Sequence, residues 1–107
     1  MTIDDFAEFF EELVKDEIRL LKIKGLEYSG KENRFRNFES LGNQLDMDPK
    51  KILWVYCTKH LDSIRSYLRG EYQGAEPIRG RIQDARNYLA LLAGMIAEEE
   101  ENQPVAT

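Results

Sequence analysis

The chain is short of cysteine, proline, histidine and tryptophan, with one, three, one and one of each in 107 residues. A lone Cys57 cannot close an internal disulfide, so a reduced compartment, the cytoplasm, is the simplest expectation. No apolar run approaches the ~20 residues that a membrane-spanning helix needs. The opening MTIDDFAEFFEELV is acidic and lacks the basic start of a secretory signal. No segment alternates apolar and polar residues for long enough to argue for a strand. A basic excess is missing too. Lys and Arg number 15 against 20 acids, a net charge of -5, which argues against a generic duplex-DNA binder. There is no internal repeat and no low-complexity segment. Residues 103–107, QPVAT, carry no periodic pattern and are expected to be a disordered tail, leaving 1–102 as a single domain.

What the chain does have is helical periodicity. With 42% apolar and 33% charged residues it falls among globular rather than disordered proteins, and its length suits one modest core. Phe6, Phe9, Phe10, Leu13, Val14, Ile18, Leu20 and Leu21 predict a first helix from about Ile3 to Lys24, ended by Gly25. A shorter second helix is expected over Lys31 to Leu45, with Phe35, Phe38, Leu41 and Leu45 on one side. The third has Asp48 as its N-cap and Pro49 at its first position, and Gly70 stops it. Pro77 opens the last helix, which runs to about Glu101. Short loops between such segments predict an all-α protein, a four-helix up-down bundle with one helix short. Phe9 with Phe10, and Trp54 beside Val55, point beyond a single face, so a homo-oligomer, most simply a homodimer, is expected.

That topology sorts the charges. Every Lys and Arg falls between positions 15 and 86. One pole of the bundle would gather Lys22, Lys24, Lys31, Arg34, Arg36, Arg65, Arg69, Arg79, Arg81 and Arg86. The other would gather Asp4, Asp5, Glu8, Asp46, Asp48 and Glu98 to Glu101. Any one of these charges reads most simply as part of a solvated helix face. Segregation over four segments instead points to a positive potential suited to a phosphate chain.

Three polar residues fall on apolar faces: Glu17, His60 and Asp84. Asn87 follows Asp84 one turn on, and Asp62 lies on a flank of the third helix. An unpaired buried carboxylate costs several kcal/mol, so these groups should be paired, hydrated or metal-bound. One reading is a polar pocket in which Glu17, Asp62 and Asp84 hold Mg²⁺ and nearby cations neutralise substrate phosphates. The other is a satisfied network, such as Glu17 with Arg86 or His60 with Asp84, that only fixes helix register. Cys57 reads as plain core; His60, three residues on, leaves a thiol role formally open. Residues 24–38, KGLEYSGKENRFRNF, interleave aromatics with cations, a composition able to stack a base and clamp phosphates. Phe35 and Phe38 read as core, which leaves Tyr28 with Lys24 and Arg34.

The run from YSG through RFRNF, then KH on the third helix and IQDARNYLALL on the fourth, resembles small phage-encoded nucleotide-modification-associated proteins. These in turn are similar to the MazG-like all-α nucleoside triphosphate pyrophosphohydrolases. The resemblance covers roughly residues 20–97. It implies Mg²⁺ held by acidic clusters, including an ExxD on a late helix, and cleavage to monophosphate and pyrophosphate. Here Asp84 matches the Asp of that motif, and Arg81 stands where the Glu is expected. The EExxE-type cluster has no clean match on the third helix, where Lys59, His60 and Asp62 stand. An arginine at 81 suits direct phosphate binding.

The sequence therefore predicts a nucleotide or other phosphate-bearing ligand at the basic pole, contacted by Lys24, Tyr28, Arg34, Lys59, His60, Arg81 and Asn87. Catalytic residues are not assigned. A divergent Mg²⁺-dependent pyrophosphohydrolase and a non-enzymatic nucleotide-sequestering module both fit. A third expectation is docking on a host protein, or mimicry of nucleic acid, through Glu98–Glu101. No membrane partner is expected.

Overall fold

The computed structural model describes residues 1–103, so most of the tail expected to be disordered lies outside the described residues. Among these the chain is all-α, with four helices and no strand: α1 (Ile3–Ser29), α2 (Arg36–Leu45), α3 (Pro49–Leu68) and α4 (Ile78–Glu101). It divides into two compact units, Met1–Arg34 and Phe35–Thr107. No helix among the described residues is long and apolar enough to cross a membrane.

In the first unit, Thr2 and Asp5 close a reciprocal capping box at the start of α1. The Thr2 hydroxyl accepts from the Asp5 amide at 3.0 Å, and the Thr2 amide donates to the Asp5 carboxylate at 3.2 Å. Phe6, Phe9 and Phe10 follow, with the Phe6 ring centroid 6.2 Å from Phe9 and 6.4 Å from Phe10. The helix does not stop at Gly25. It continues to Ser29 and ends at Gly30, whose φ of 74° favours glycine. Gly25 serves close approach instead, since a Cβ there would lie 3.0 Å from Cδ and Nε of Arg34. Arg34 Nη1 donates to Ser29 Oγ at 3.0 Å, and Ser29 is buried. Residues 30–35 are therefore turn rather than the expected first turn of helix two. Lys31, Glu32 and Asn33 supply no apolar contact to hold a helix there, and Arg34 is committed backwards.

In the second unit, α2 packs on α3, and α3 on α4. The start of α3 is as the sequence predicts: Asp48 accepts from the Lys50 amide at 2.9 Å, and Pro49 occupies the first turn, where its missing N–H costs nothing. The core is Phe38, Ile52, Leu53 and Met95, with Phe35, Leu41, Tyr88, Leu91 and Leu92 packed against it. Leu53 and Cys57 are fully enclosed. Pairing of Lys50 with Glu99, and of His60 with Asp84, sets α3 and α4 antiparallel.

Two consequences can be measured. A Cβ on Gly42 would lie 2.6 Å from the Met47 carbonyl oxygen, a backbone atom of the turn joining α2 to α3. That turn is pinned by the Met47 amide donating to the Gly42 carbonyl at 2.9 Å. Gly42→Ala should therefore destabilise the second unit by ~1–3 kcal/mol in urea unfolding, although alanine is ordinarily the better helix former. Cys57, in turn, is desolvated, which pushes its thiol above the ordinary range and keeps it protonated. A disulfide reagent should leave it unmodified in the native protein and titrate it fully in denaturant.

Candidate functional site

Tyr56 and His60 lie one turn apart on α3, as do Asp84 and Tyr88 on α4. Antiparallel packing brings the two pairs together. The His60 ring stacks on Tyr88 at 5.5 Å between centroids, and Tyr88 is stacked on Tyr56 at 6.4 Å with ring planes 7° apart. Phe38 meets both tyrosines edge-on, at 6.2 and 6.5 Å, so the stack stands directly on the core. Contacts of this kind contribute roughly 0.5–1.5 kcal/mol each beyond burial. They also fix the His60 ring. Its Nδ1 is 3.7 Å from the Asp84 carboxylate, close enough for electrostatic attraction but longer than a hydrogen bond. Both side chains are largely shielded, at 14% and 20% exposure, where such an attraction is less screened than at the surface.

Asn87 is buried on the next turn of α4, and Arg81 lies one turn before Asp84. The Arg81 guanidinium is half-buried, with Nε 3.3 Å from the Glu76 carboxylate. A hydrogen bond to Tyr72, with the Glu76 and Asp84 carboxylates nearby, raises its proton affinity further and keeps it cationic. Tyr72 in turn donates to the Glu76 carbonyl at 2.5 Å, closing the loop before α4 around this arginine. Arg65 bonds Asp62 at 2.7 Å and Arg69 bonds Glu71 at 3.1 Å, both on the surface. Lys59 is exposed beside His60.

The residues singled out from sequence thus fall into two sets. Lys59, His60, Asp62, Arg81, Asp84 and Asn87 belong to the second unit, where His60 meets Asp84 while Asp62 turns to solvent. Glu17, Lys24, Tyr28 and Arg34 belong to the first. There Glu17 and Lys24 are half-buried on α1, Tyr28 is exposed, and Arg34 folds over Gly25 onto Ser29. Tyr56, Tyr88 and Tyr72 were not singled out as site residues. The one-turn spacings Tyr56–His60 and Asp84–Tyr88 are in the sequence, but the register of α3 against α4 that stacks them is not.

Among the described residues no group of three or more His, Cys, Asp or Glu side chains is placed to hold a metal ion. Asp62 and Asp84 in the second unit already face Arg65 and His60, so that unit by itself offers no Mg²⁺ cage of the kind the family resemblance implies.

At the opposite end of the α3–α4 pair, Lys50 bridges Asp48 at 3.0 Å and Glu99. Backbone and side-chain hydrogen bonds from Lys50 hold the Asp48 carboxyl below its ordinary value, and the Glu99 bond holds the Lys50 ammonium above its own. Asp48 caps better when ionised, so its contribution is complete above the unfolded-state value near 3.8. It is lost as pH falls through the lowered native one. Asp48→Asn should cap nearly as well at pH 7 yet remove this acid-sensitive part, whereas Asp48→Ala should cost ~1 kcal/mol at pH 7 in thermal unfolding.

The second unit is thus a packed helical unit with a stacked His–Tyr–Tyr column and a half-buried arginine near one end. Compared with protein-family models, curated proteins and solved structures, the chain matches none.

Proposed function

We propose that the chain binds a nucleotide or another phosphate-bearing ligand at the end of the α3–α4 pair where Arg81, His60 and Lys59 stand. The observation that carries this is the half-buried, permanently charged Arg81 one turn before Asp84, the carboxylate that faces a histidine stacked on Tyr88. Guanidinium groups present several donors in a plane that matches phosphate oxygens, and Arg81 is engaged by Tyr72 and by the half-exposed Glu76 carboxylate. The Arg81–Glu76 pair is partly solvated, so a phosphate competes with that carboxylate for the arginine. Lys59 adds an exposed charge beside His60, and Asn87 supplies a buried amide one turn beyond Asp84 on α4. In the first unit, Lys24, Tyr28 and Arg34 remain candidates for cation and stacking contacts on that unit alone.

Binding without hydrolysis is the version favoured here, because no metal cage accompanies these residues within the second unit. The resemblance to the MazG-like enzymes supports a nucleotide as the ligand, and a phage protein that sequesters a nucleotide in the host cytoplasm is the matching role. Mg²⁺-dependent pyrophosphohydrolysis is the enzymatic form of the same reading. A homo-oligomer is the assembly that goes with it. Incubation with nucleoside triphosphates and Mg²⁺ separates the two versions. Binding with no release of pyrophosphate supports sequestration, and turnover abolished by Asp84→Ala replaces it with catalysis. Docking on a host protein through Glu98–Glu101 is the remaining alternative, and truncation before Glu98 should then abolish capture of that partner.

A further inference from the structure

Tyr88, Leu91 and Met95 turn one face of α4 to the core. Ile82, Leu89 and Ile96, each two turns from the next, form a second apolar line about a third of a turn round the helix from the first. They remain 41%, 47% and 40% exposed, and Ala90, Ala93 and Ala97 beside them are exposed as well. A surface helix carries one apolar face for its core, so a second face marks a second partner. Small side chains among the aliphatic ones let another helix approach closely. The charges say which helix. Arg79, Arg81 and Arg86 open α4, and Glu98 to Glu101 close it. By the helical repeat, Glu100 prolongs the line one turn past Ile96, and Arg79 flanks it one turn before Ile82.

We propose that α4 pairs antiparallel with α4 of a second copy through this line, centred on Leu89. Leu89 then meets Leu89 of the second copy, and Ile82 meets its Ile96. A two-fold axis across the pair sets each flank against the same flank of the other copy, so Arg79 comes beside Glu100 of the second copy. Symmetry makes that ion pair twice. Both side chains are exposed, and a guanidinium has donors enough to keep a contact in its own chain while taking a second carboxylate. A parallel pair would instead lay the basic start of one helix along the basic start of the other, and acidic end along acidic end, a repulsive arrangement. This rests only on the homo-oligomer part of the proposed reading and needs no ligand.

Sedimentation of the full chain at micromolar concentration should give a dimer. Leu89→Glu should weaken it at least ~tenfold while circular dichroism shows an unchanged helix content, since Leu89 is exposed within the chain. Arg79→Glu should weaken it several-fold, and mixing with a Glu100→Lys chain should restore pairing as a heterodimer. Leu89→Cys should cross-link with itself on mild oxidation. Ile82→Cys should cross-link with Ile96→Cys on mixing and not with itself; the enclosed Cys57 does not interfere. A wild-type monomer, a dimer that Leu89→Glu leaves intact, or cross-linking of Ile82→Cys with itself overturns the proposal. Nucleotide titration of the same samples keeps the readings apart: a monomer that still binds removes only this interface, and a dimer that binds nothing removes only the ligand.

Discussion

Leu53→Ala should lower the unfolding free energy of the second unit by ~2–5 kcal/mol, the largest stability effect expected of a single truncation here. Leu53 has no exposed surface and lies in the small core formed with Phe38, Ile52 and Met95. A core with so few fully enclosed side chains has little material with which to collapse around a void, so the upper half of that range is expected. Trp54, half exposed on the next position of α3, provides a fluorescence probe for the urea transition. The midpoint should fall with the slope nearly unchanged, as for lost stability rather than altered compactness. A shift equivalent to less than ~1 kcal/mol would mean that Leu53 is not the centre of this core.

The second large effect concerns ligand affinity. Arg81→Ala should weaken nucleotide binding roughly ten- to a hundredfold, as expected for loss of a charge-assisted hydrogen bond to phosphate. Lys59→Ala should cost less, because an exposed ammonium is hydrated and screened, and its contribution should fade as salt is raised. Glu76→Gln should tighten binding slightly by releasing Arg81 from its present partner. Lys51→Ala, at the other end of α3, should change nothing and serves as the control. Lys51 mattering as much as Arg81 would point to non-specific attraction.

Legibility from sequence followed the strength of local chemistry. Asp48 and Pro49 announced the start of α3, and Pro77 that of α4, because caps and fixed backbone angles are properties of one or two residues. Gly25 misled for the complementary reason. Glycine also allows close approach, and only the folded chain reveals that Arg34 lies over it. The same holds at the site. Glu17, His60 and Asp84 broke the apolar pattern, so their placement away from full exposure was readable, and a His60–Asp84 pair was one of the two outcomes anticipated for them. The column of Tyr56, Tyr88 and His60 was not readable, because stacking depends on the relative height of α3 and α4, which no single-helix pattern encodes. Nor was the engagement of Arg81 by Glu76 and Tyr72, which depends on the path of the loop before α4.

The central claim is that the Arg81–His60 end of the α3–α4 pair captures a phosphate-bearing ligand. Isothermal titration of wild type and Arg81→Ala against a nucleoside triphosphate panel, with and without Mg²⁺, tests it most directly. Saturable binding of one or more nucleotides that persists without Mg²⁺ and collapses in Arg81→Ala is the predicted result. No binding to any nucleotide, or binding that Arg81→Ala leaves unchanged, would contradict it.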